Sequence, residues 1–218
     1  IKNTRFYKGS FPAEYGGRLS SVVDVRMNDG NRQEYHGNIS VGLLSARANL
    51  EGPIVKDRSS FNVSVRRTWL DLITGTALAV VNKNSSIKDV FGYHFFDINA
   101  KLNHSFSDRS RAYLSFYMGQ DAFRQGSKEK NGDSEDMFLW RWGNLIGSAG
   151  WNYVFGQKLF GNLMVGYSRF RSHIRQEVGG YEIYAGKEGK ESFKRESYYK
   201  SEMEDLSVRL SVDYSPSM

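Results

Sequence analysis

From Phe96 onward, apolar and polar residues take turns along the chain. Phe96, Ile98, Ala100 and Leu102 alternate with Asp97, Asn99, Lys101 and Asn103, the mark of a strand with one dry face and one wet face. Ser107-Asp108-Arg109-Ser110 supplies a polar turn, and Ala112, Leu114, Phe116 and Met118 resume the alternation, so the stretch predicts an antiparallel hairpin. The same pattern recurs over most of the sequence. A strand is expected over Glu34 to Leu43, with Ile39, Val41 and Leu43 on one face and Ser40 and Gly42 on the other. A return strand is expected through Ala48 and Leu50 to Glu51-Gly52-Pro53. Proline lacks a ladder donor and suits the end of that strand, before a turn at residues 55–59.

A third strand is expected from Phe61 to Asp71, with Phe61, Val63 and Val65 alternating with Asn62, Ser64 and Arg66. Residues 73–82 are apolar enough for a short helix inside an outer connection that runs to about Phe91. Residues 120–136 read as a solvated polar loop, and a metal site from Asp121, Asp133, Glu135 and Asp136 has no defensible ligand spacing. Phe138-Leu139-Trp140-Arg141-Trp142 opens the next strand, on which Leu145, Gly147, Ala149, Trp151 and Tyr153 share a face; Phe155-Gly156-Gln157-Lys158 turns it. Leu163, Val165 and Tyr167 carry the following strand outward, past Phe170 to Glu177. Residues 178–200 are expected to form the longest outer loop. Leu206, Val208, Leu210, Val212 and Tyr214 against Ser207, Arg209, Ser211 and Asp213 give the cleanest alternation in the chain, ended by Ser215-Pro216-Ser217.

Two features decide what these strands face. The face opposite the apolar one carries Asn, Asp, Lys, Arg and Ser throughout, too many polar groups for a packed interior. Tryptophan and tyrosine gather toward strand ends, as at membrane interfaces, and Trp69, Trp140, Trp142 and Trp151 are the expected belt. The expected fold is therefore all-β, an antiparallel transmembrane barrel. In 218 residues no apolar run approaches the length of a membrane helix, about 18 residues. Aromatic residues are 14% of the chain and prolines number three, in keeping with long regular strands.

Composition removes several function classes. There is no cysteine, hence no disulfide or thiolate chemistry. The formal charge of +6 is spread over interleaved basic and acidic residues, unlike the concentrated basic face of a nucleic-acid binder. His36, His94, His104 and His173 stand apart from one another, and no Ser/His/Asp or paired-carboxylate constellation is recoverable. The expectation is a protein that is not an enzyme and carries no cofactor or metal. An inward Arg66 avoids the cost of about 2–4 kcal/mol for arginine facing lipid at midplane and would meet carboxylates of a plug. Arg67 then faces outward as an interfacial cation.

The run PAEYGGRLSSVVDVRMNDGN resembles the last segment of the plug domain of TonB-dependent outer-membrane receptors, in the branch typical of Bacteroidota. Pro12, Gly16, Gly17, Arg18 and Ser20 carry the likeness there. Glu51, Gly52 and Pro53, at the first periplasmic turn, and then FNVSVRRT, FDINAKLNHSFSD, YLSFYMGQDAF and WGNLIGSAGWNYVF extend it over essentially the whole chain. The resemblance implies that residues 1–30 are the end of a plug and residues 31–218 the first part of a barrel, about eight of a probable 22 strands, since plugged barrels belong to that class. It implies a fragment of a longer exported protein of the bacterial outer membrane, importing a scarce nutrient such as a siderophore, cobalamin, glycan or peptide. The implied partners are outer-membrane lipid and lipopolysaccharide, the TonB energy complex through an N-terminal segment outside this chain, and a surface lipoprotein. A passive porin and a soluble β-sandwich binding module are the alternatives; a porin would need no GGRLSSVVDV segment before its first strand.

Overall fold

The computed structural model describes residues 2–9, 12, 15, 21–130, 134–183 and 190–216. Two short strands, β1 (Asn3–Tyr7) and β2 (Val22–Arg26), pair antiparallel. Eight further strands follow: β3 (His36–Val41), β4 (Ser45–Val55), β5 (Ser59–Thr68), β6 (Ile87–Ser107), β7 (Ser110–Glu129), β8 (Ser134–Val154), β9 (Leu159–Ile183) and β10 (Lys190–Tyr214). They form one antiparallel sheet in which each strand pairs with its neighbour in sequence. The sheet is open, with β3 and β10 as its edges. Among the described residues one α-helix, α1 (Leu70–Val81), lies between β5 and β6 and runs on into a 3-10 turn at Asn82–Asn84, and no helix among them is long and apolar enough to cross a membrane.

The connections differ at the two ends. At one end they are tight: residues 56–58, 108–109 and 155–158. Asp57 adopts the left-handed conformation, φ 64°, and its amide donates to the Arg32 carbonyl at 3.2 Å. Phe155 and Gly156 amides both donate to the Leu159 carbonyl. The other end holds the α1 connection and residues 42–44 between β3 and β4.

Three expectations need correction. Within the two stretches expected as loops, residues 120–129, 134–136, 178–183 and 190–200 are instead the helix-side halves of β7–β10, residues 131–133 and 184–189 lying outside the described residues, and β6 starts at Ile87 rather than after Phe91. Their polarity reports water on both faces, not a break in pairing: the ladder runs unbroken from Lys190↔Ile183 to Tyr214↔Leu159. Cross-strand charges join it. Arg175 Nη2 lies 2.9 Å from Glu196 Oε1 and Lys194 Nζ 3.1 Å from Glu177 Oε2. The helix begins three residues before its expected start, while β5 ends at Thr68 instead of Asp71. The first residues, which show no periodicity, supply β1 because β2 offers it a partner.

Burial across the sheet is inverted relative to a water-soluble fold. Among the described residues no large hydrophobic side chain is buried. Ser60, Asn62, Asp97 and Asn103 are at most 7% exposed, whereas Ile39, Val41, Leu206, Val208 and Leu210 are 68–79% exposed. The two sets occupy opposite faces. In register, Gly52, Phe61, Leu102, Leu114, Ala149, Val165 and Val208 make one continuous row across β4 to β10 on the apolar face.

The apolar stripe is also staggered. On β5 it runs from Phe61 to Val65 and is bounded at the α1 end by Arg67; on β10 it runs from Leu206 to Tyr214, bounded by Glu204. Followed from β5 to β10, it slides toward the tight-turn end.

Candidate functional site

The polar face is where the chain concentrates its directed contacts, and the segment after β2 lies on it. Asn28-Asp29-Gly30 packs against β5, β6 and β4. The Asp29 carbonyl accepts hydrogen bonds from Ser60 Oγ and Asn103 Nδ2, each at 2.7 Å. Its carboxylate lies 2.6 Å from Lys101 Nζ and 2.9 Å from Lys2 Nζ. Partial burial alone would push that carboxyl up, but the hydrogen bonds and charges of Lys101 and Lys2 hold it below the usual carboxylate range. Ser115 Oγ donates to Met27 Sδ at 3.3 Å, and the Arg209 guanidinium on β10 stacks 4.9 Å from the Tyr15 ring. Gly30 has φ +81°, and a Cβ there would come 2.3 Å from the Phe61 carbonyl oxygen. Only glycine combines that dihedral with that approach.

Glu51, Gly52 and Pro53 sit together at the tight-turn end of β4, each with its own task. Glu51 Oε2 accepts from Asn28 Nδ2 at 2.9 Å and Asn62 Nδ2 at 2.7 Å, tying the N-terminal segment to the sheet. Gly52 leaves room for the Tyr35 ring, which a Cβ would meet at 2.2 Å. The Pro53 carbonyl accepts the Tyr35 hydroxyl at 2.8 Å, and the register shifts after Pro53. That bulge is where a residue without an N–H fits.

Arg66 lies on the polar face as expected, but its partner differs. Its Nη2 is 2.7 Å from Asp97 Oδ2 on the adjacent strand β6, and its guanidinium covers the Phe95 ring at 4.6 Å. The carboxylate of the N-terminal segment goes to Lys101 instead, which the sequence reading did not single out. Arg67 is on the other face, with Nη2 3.7 Å from Asp71. Pro12 accepts a hydrogen bond from the Tyr15 amide at 3.0 Å. Gly16, Gly17, Arg18 and Ser20 lie outside the described residues.

The four tryptophans do not form one belt. Trp151 is on the apolar face, paired in register with Ala112 and Leu163 near the tight turns. Tyr153, two residues on, shares that face, and its ring leads on to Phe155 at 4.8 Å. Trp69 caps the end of β5, its indole N–H donating to the Leu43 carbonyl at 2.7 Å. Trp140 and Trp142, an odd number of residues from Trp151 on an unbroken strand, fall on the polar face. There Trp140 Nε1 donates to Ser172 Oγ at 2.9 Å, and Trp142 stacks on Tyr93 at 6.4 Å. With Phe91, Phe123 and Phe138, packed edge to face at 5.7 and 6.2 Å, they form an aromatic wall above Arg66 on the helix side. Composition invited a belt; counting residues along β8 reveals the wall.

Asp121 accepts the Tyr93 hydroxyl at 2.7 Å and Glu135 pairs with Lys128 at 3.4 Å, and no cluster of three metal-ligating side chains occurs among the described residues. Comparison of the chain with protein-family models finds no match, and neither does comparison with curated proteins.

Proposed function

We propose that this chain is the plug end and first eight barrel strands of a TonB-dependent outer-membrane receptor, an active importer of a scarce nutrient. The inversion of burial carries the reading: the sheet shelters Ser60, Asn62, Asp97 and Asn103 while Leu206, Val208 and Leu210 stand open. In water each such aliphatic side chain would forfeit about 1.5–3 kcal/mol of burial, whereas in hydrocarbon the same arrangement is favourable. The open edges at β3 and β10 fit a sheet continued by further strands into a closed barrel, since an unpaired edge in lipid leaves backbone groups unsatisfied. Strands of 20–25 residues exceed the 9–11 or so that cross a bilayer, so β6–β10 project beyond it on the helix side.

On this reading the hairpin β1–β2 and residues 27–30 are the last part of the plug. They fix it to the barrel wall through Asp29, Glu51 and Gly30. The aromatic wall of Tyr93, Trp140 and Trp142 lines the outer mouth, where it presents flat apolar surfaces to an entering ligand. Occupation of the polar face by the N-terminal segment favours a gated importer over a passive pore. Energy comes from the TonB complex acting on plug residues outside this chain. The outer leaflet supplies lipid and lipopolysaccharide contacts, and a surface lipoprotein is the expected accessory. The protein does transport, not catalysis.

A deletion strain of the source bacterium grown on single limiting iron, cobalamin, glycan or peptide sources tests the function. Loss of growth on one source, restored by the full-length gene, supports import. Unchanged growth on all of them, with the parent protein monomeric in detergent-free buffer, rejects it.

A further inference from the structure

Asp97 and Asp121 stand on the polar face of adjacent strands, and only Asp97 is matched by a cation. Asp97 Oδ2 on β6 accepts both Nε and Nη2 of Arg66, at 2.8 and 2.7 Å, while the same guanidinium lies over the Phe95 ring at 4.6 Å. The sheet thus holds a guanidinium between a carboxylate at its edge and a ring against its face.

Asp121 on β7 repeats that setting without a cation from the chain. It is paired in register with Phe95 on one side and Trp142 on the other. Phe123 follows two positions along on the same face, and toward the tight-turn end a Cβ on Gly119 would collide with the Tyr117 hydroxyl. Aromatic rings therefore frame the half-buried carboxylate on four sides. Its Oδ1 accepts the Tyr93 hydroxyl at 2.7 Å, and the Tyr93 ring lies within 23° of parallel to Trp142.

No cation lies within ion-pairing distance of Asp121 among the described residues. Arg66 is committed to Asp97. Arg124, three positions from Asp121, and Arg141, one before Trp142, fall on the opposite face of an unbroken ladder. A neutral solute would leave this carboxylate unmatched, and an anionic one would be repelled. A flat cation gains ring faces and charge-assisted N–H bonds together. Guanidinium suits such a site better than ammonium, because it is planar and stacks.

We propose that Asp121, with Tyr93 and Trp142, binds a guanidinium group of the imported solute, as Asp97 and Phe95 bind that of Arg66. This rests on the importer reading above and adds the charge and shape of the ligand to it.

The test uses the full-length protein in detergent and Nα-acetylarginine amide as probe, with the citrulline and lysine counterparts beside it; affinities come from saturation-transfer NMR titrations. Wild type binds the arginine probe about tenfold more tightly than its uncharged citrulline isostere, and more tightly than the lysine probe. Asp121→Asn erases the difference between arginine and citrulline. Trp142→Leu weakens arginine binding by about threefold with the carboxylate in place. Asp205→Asn, on the same face of β10, changes neither, which separates a defined site from overall charge. Heat-modifiable mobility confirms that each variant is folded. Equal binding of arginine and citrulline by wild type overturns the proposal, as does a preference that survives Asp121→Asn; equal binding of lysine overturns the choice of guanidinium. Absence of the wild-type protein from the outer membrane would take the importer reading down as well, whereas an importer that does not discriminate among the probes defeats only the cation site.

Discussion

Lys101 on β6 reaches back across 72 residues to Asp29, placing its Nζ 2.6 Å from the carboxylate. The same ammonium lies 5.0 Å from the Tyr113 ring and is 12% exposed. Among the described residues it is the closest charged link between the N-terminal segment and the large sheet. Asp29→Asn or Lys101→Met is expected to loosen the segment by about 1–2 kcal/mol, within the range for a hydrogen bond to a charged group in partly screened surroundings. Limited proteolysis of the full-length protein in detergent checks this through faster cleavage within residues 1–35.

The link also predicts a pH dependence. Because the folded carboxyl titrates below its ordinary value, its stabilisation is fully present above the unfolded value, about 3.9, and is lost as pH falls through the lower folded one. Cleavage of wild type should hold steady from neutral pH down to about 4 and rise below it. Asp29→Asn should show a profile without that acid step.

Gly30 offers a sharper structural test. A side chain there meets the Phe61 carbonyl and must adopt φ +81°. Gly30→Ala is expected to cost about 1–3 kcal/mol and to expose residues 27–33 to protease, without altering thermal unfolding of the strands.

Neighbouring residues on β10 should respond oppositely to the same change. Leu210, at the middle of the apolar stripe and 71% exposed, becomes Arg at a cost of about 2–4 kcal/mol if lipid covers it. Ser211→Arg, on the polar face, should cost little. Folding of the full-length protein into liposomes, followed by heat-modifiable mobility against urea, measures both.

On the proposed reading the aromatic wall contacts ligand while Trp151 anchors the sheet. Trp142→Ala should reduce growth on the limiting nutrient while leaving the protein folded. Trp151→Ala, near the tight turns on the apolar face, should lower stability by about 1–3 kcal/mol without a change in ligand preference.

Much of this architecture can be read from alternation alone. The strands through Phe96–Leu102 and Leu206–Tyr214, the tight turns at 55–59 and 155–158 and the short helix after Trp69 all announce themselves by period or turn chemistry. The outer halves of β7–β10 do not, because a ribbon with water on both sides loses the apolar half of its pattern while keeping its hydrogen bonds. Arg66 could be assigned a face but not a partner, since Asp97 comes opposite it only through the β5–β6 register. Lys101 and Asp29 are invisible as a pair for the same reason, over a longer separation. Trp140 and Trp142 were open to a simple parity count along β8, and residue type misdirects where parity does not.

These 218 residues hold no cysteine, so a single introduced cysteine here can be spin-labelled once any cysteine elsewhere in the full-length protein is replaced by serine. The strand on which to use it is β10. Cysteine introduced one position at a time from Leu206 to Tyr214 in the full-length protein, labelled with a nitroxide and placed in liposomes, reports access to oxygen and to a water-soluble nickel chelate. The account predicts that oxygen access peaks at 206, 208, 210, 212 and 214 while nickel access is lowest there. Nickel reaching these positions as freely as it reaches 207 or 213 would contradict it.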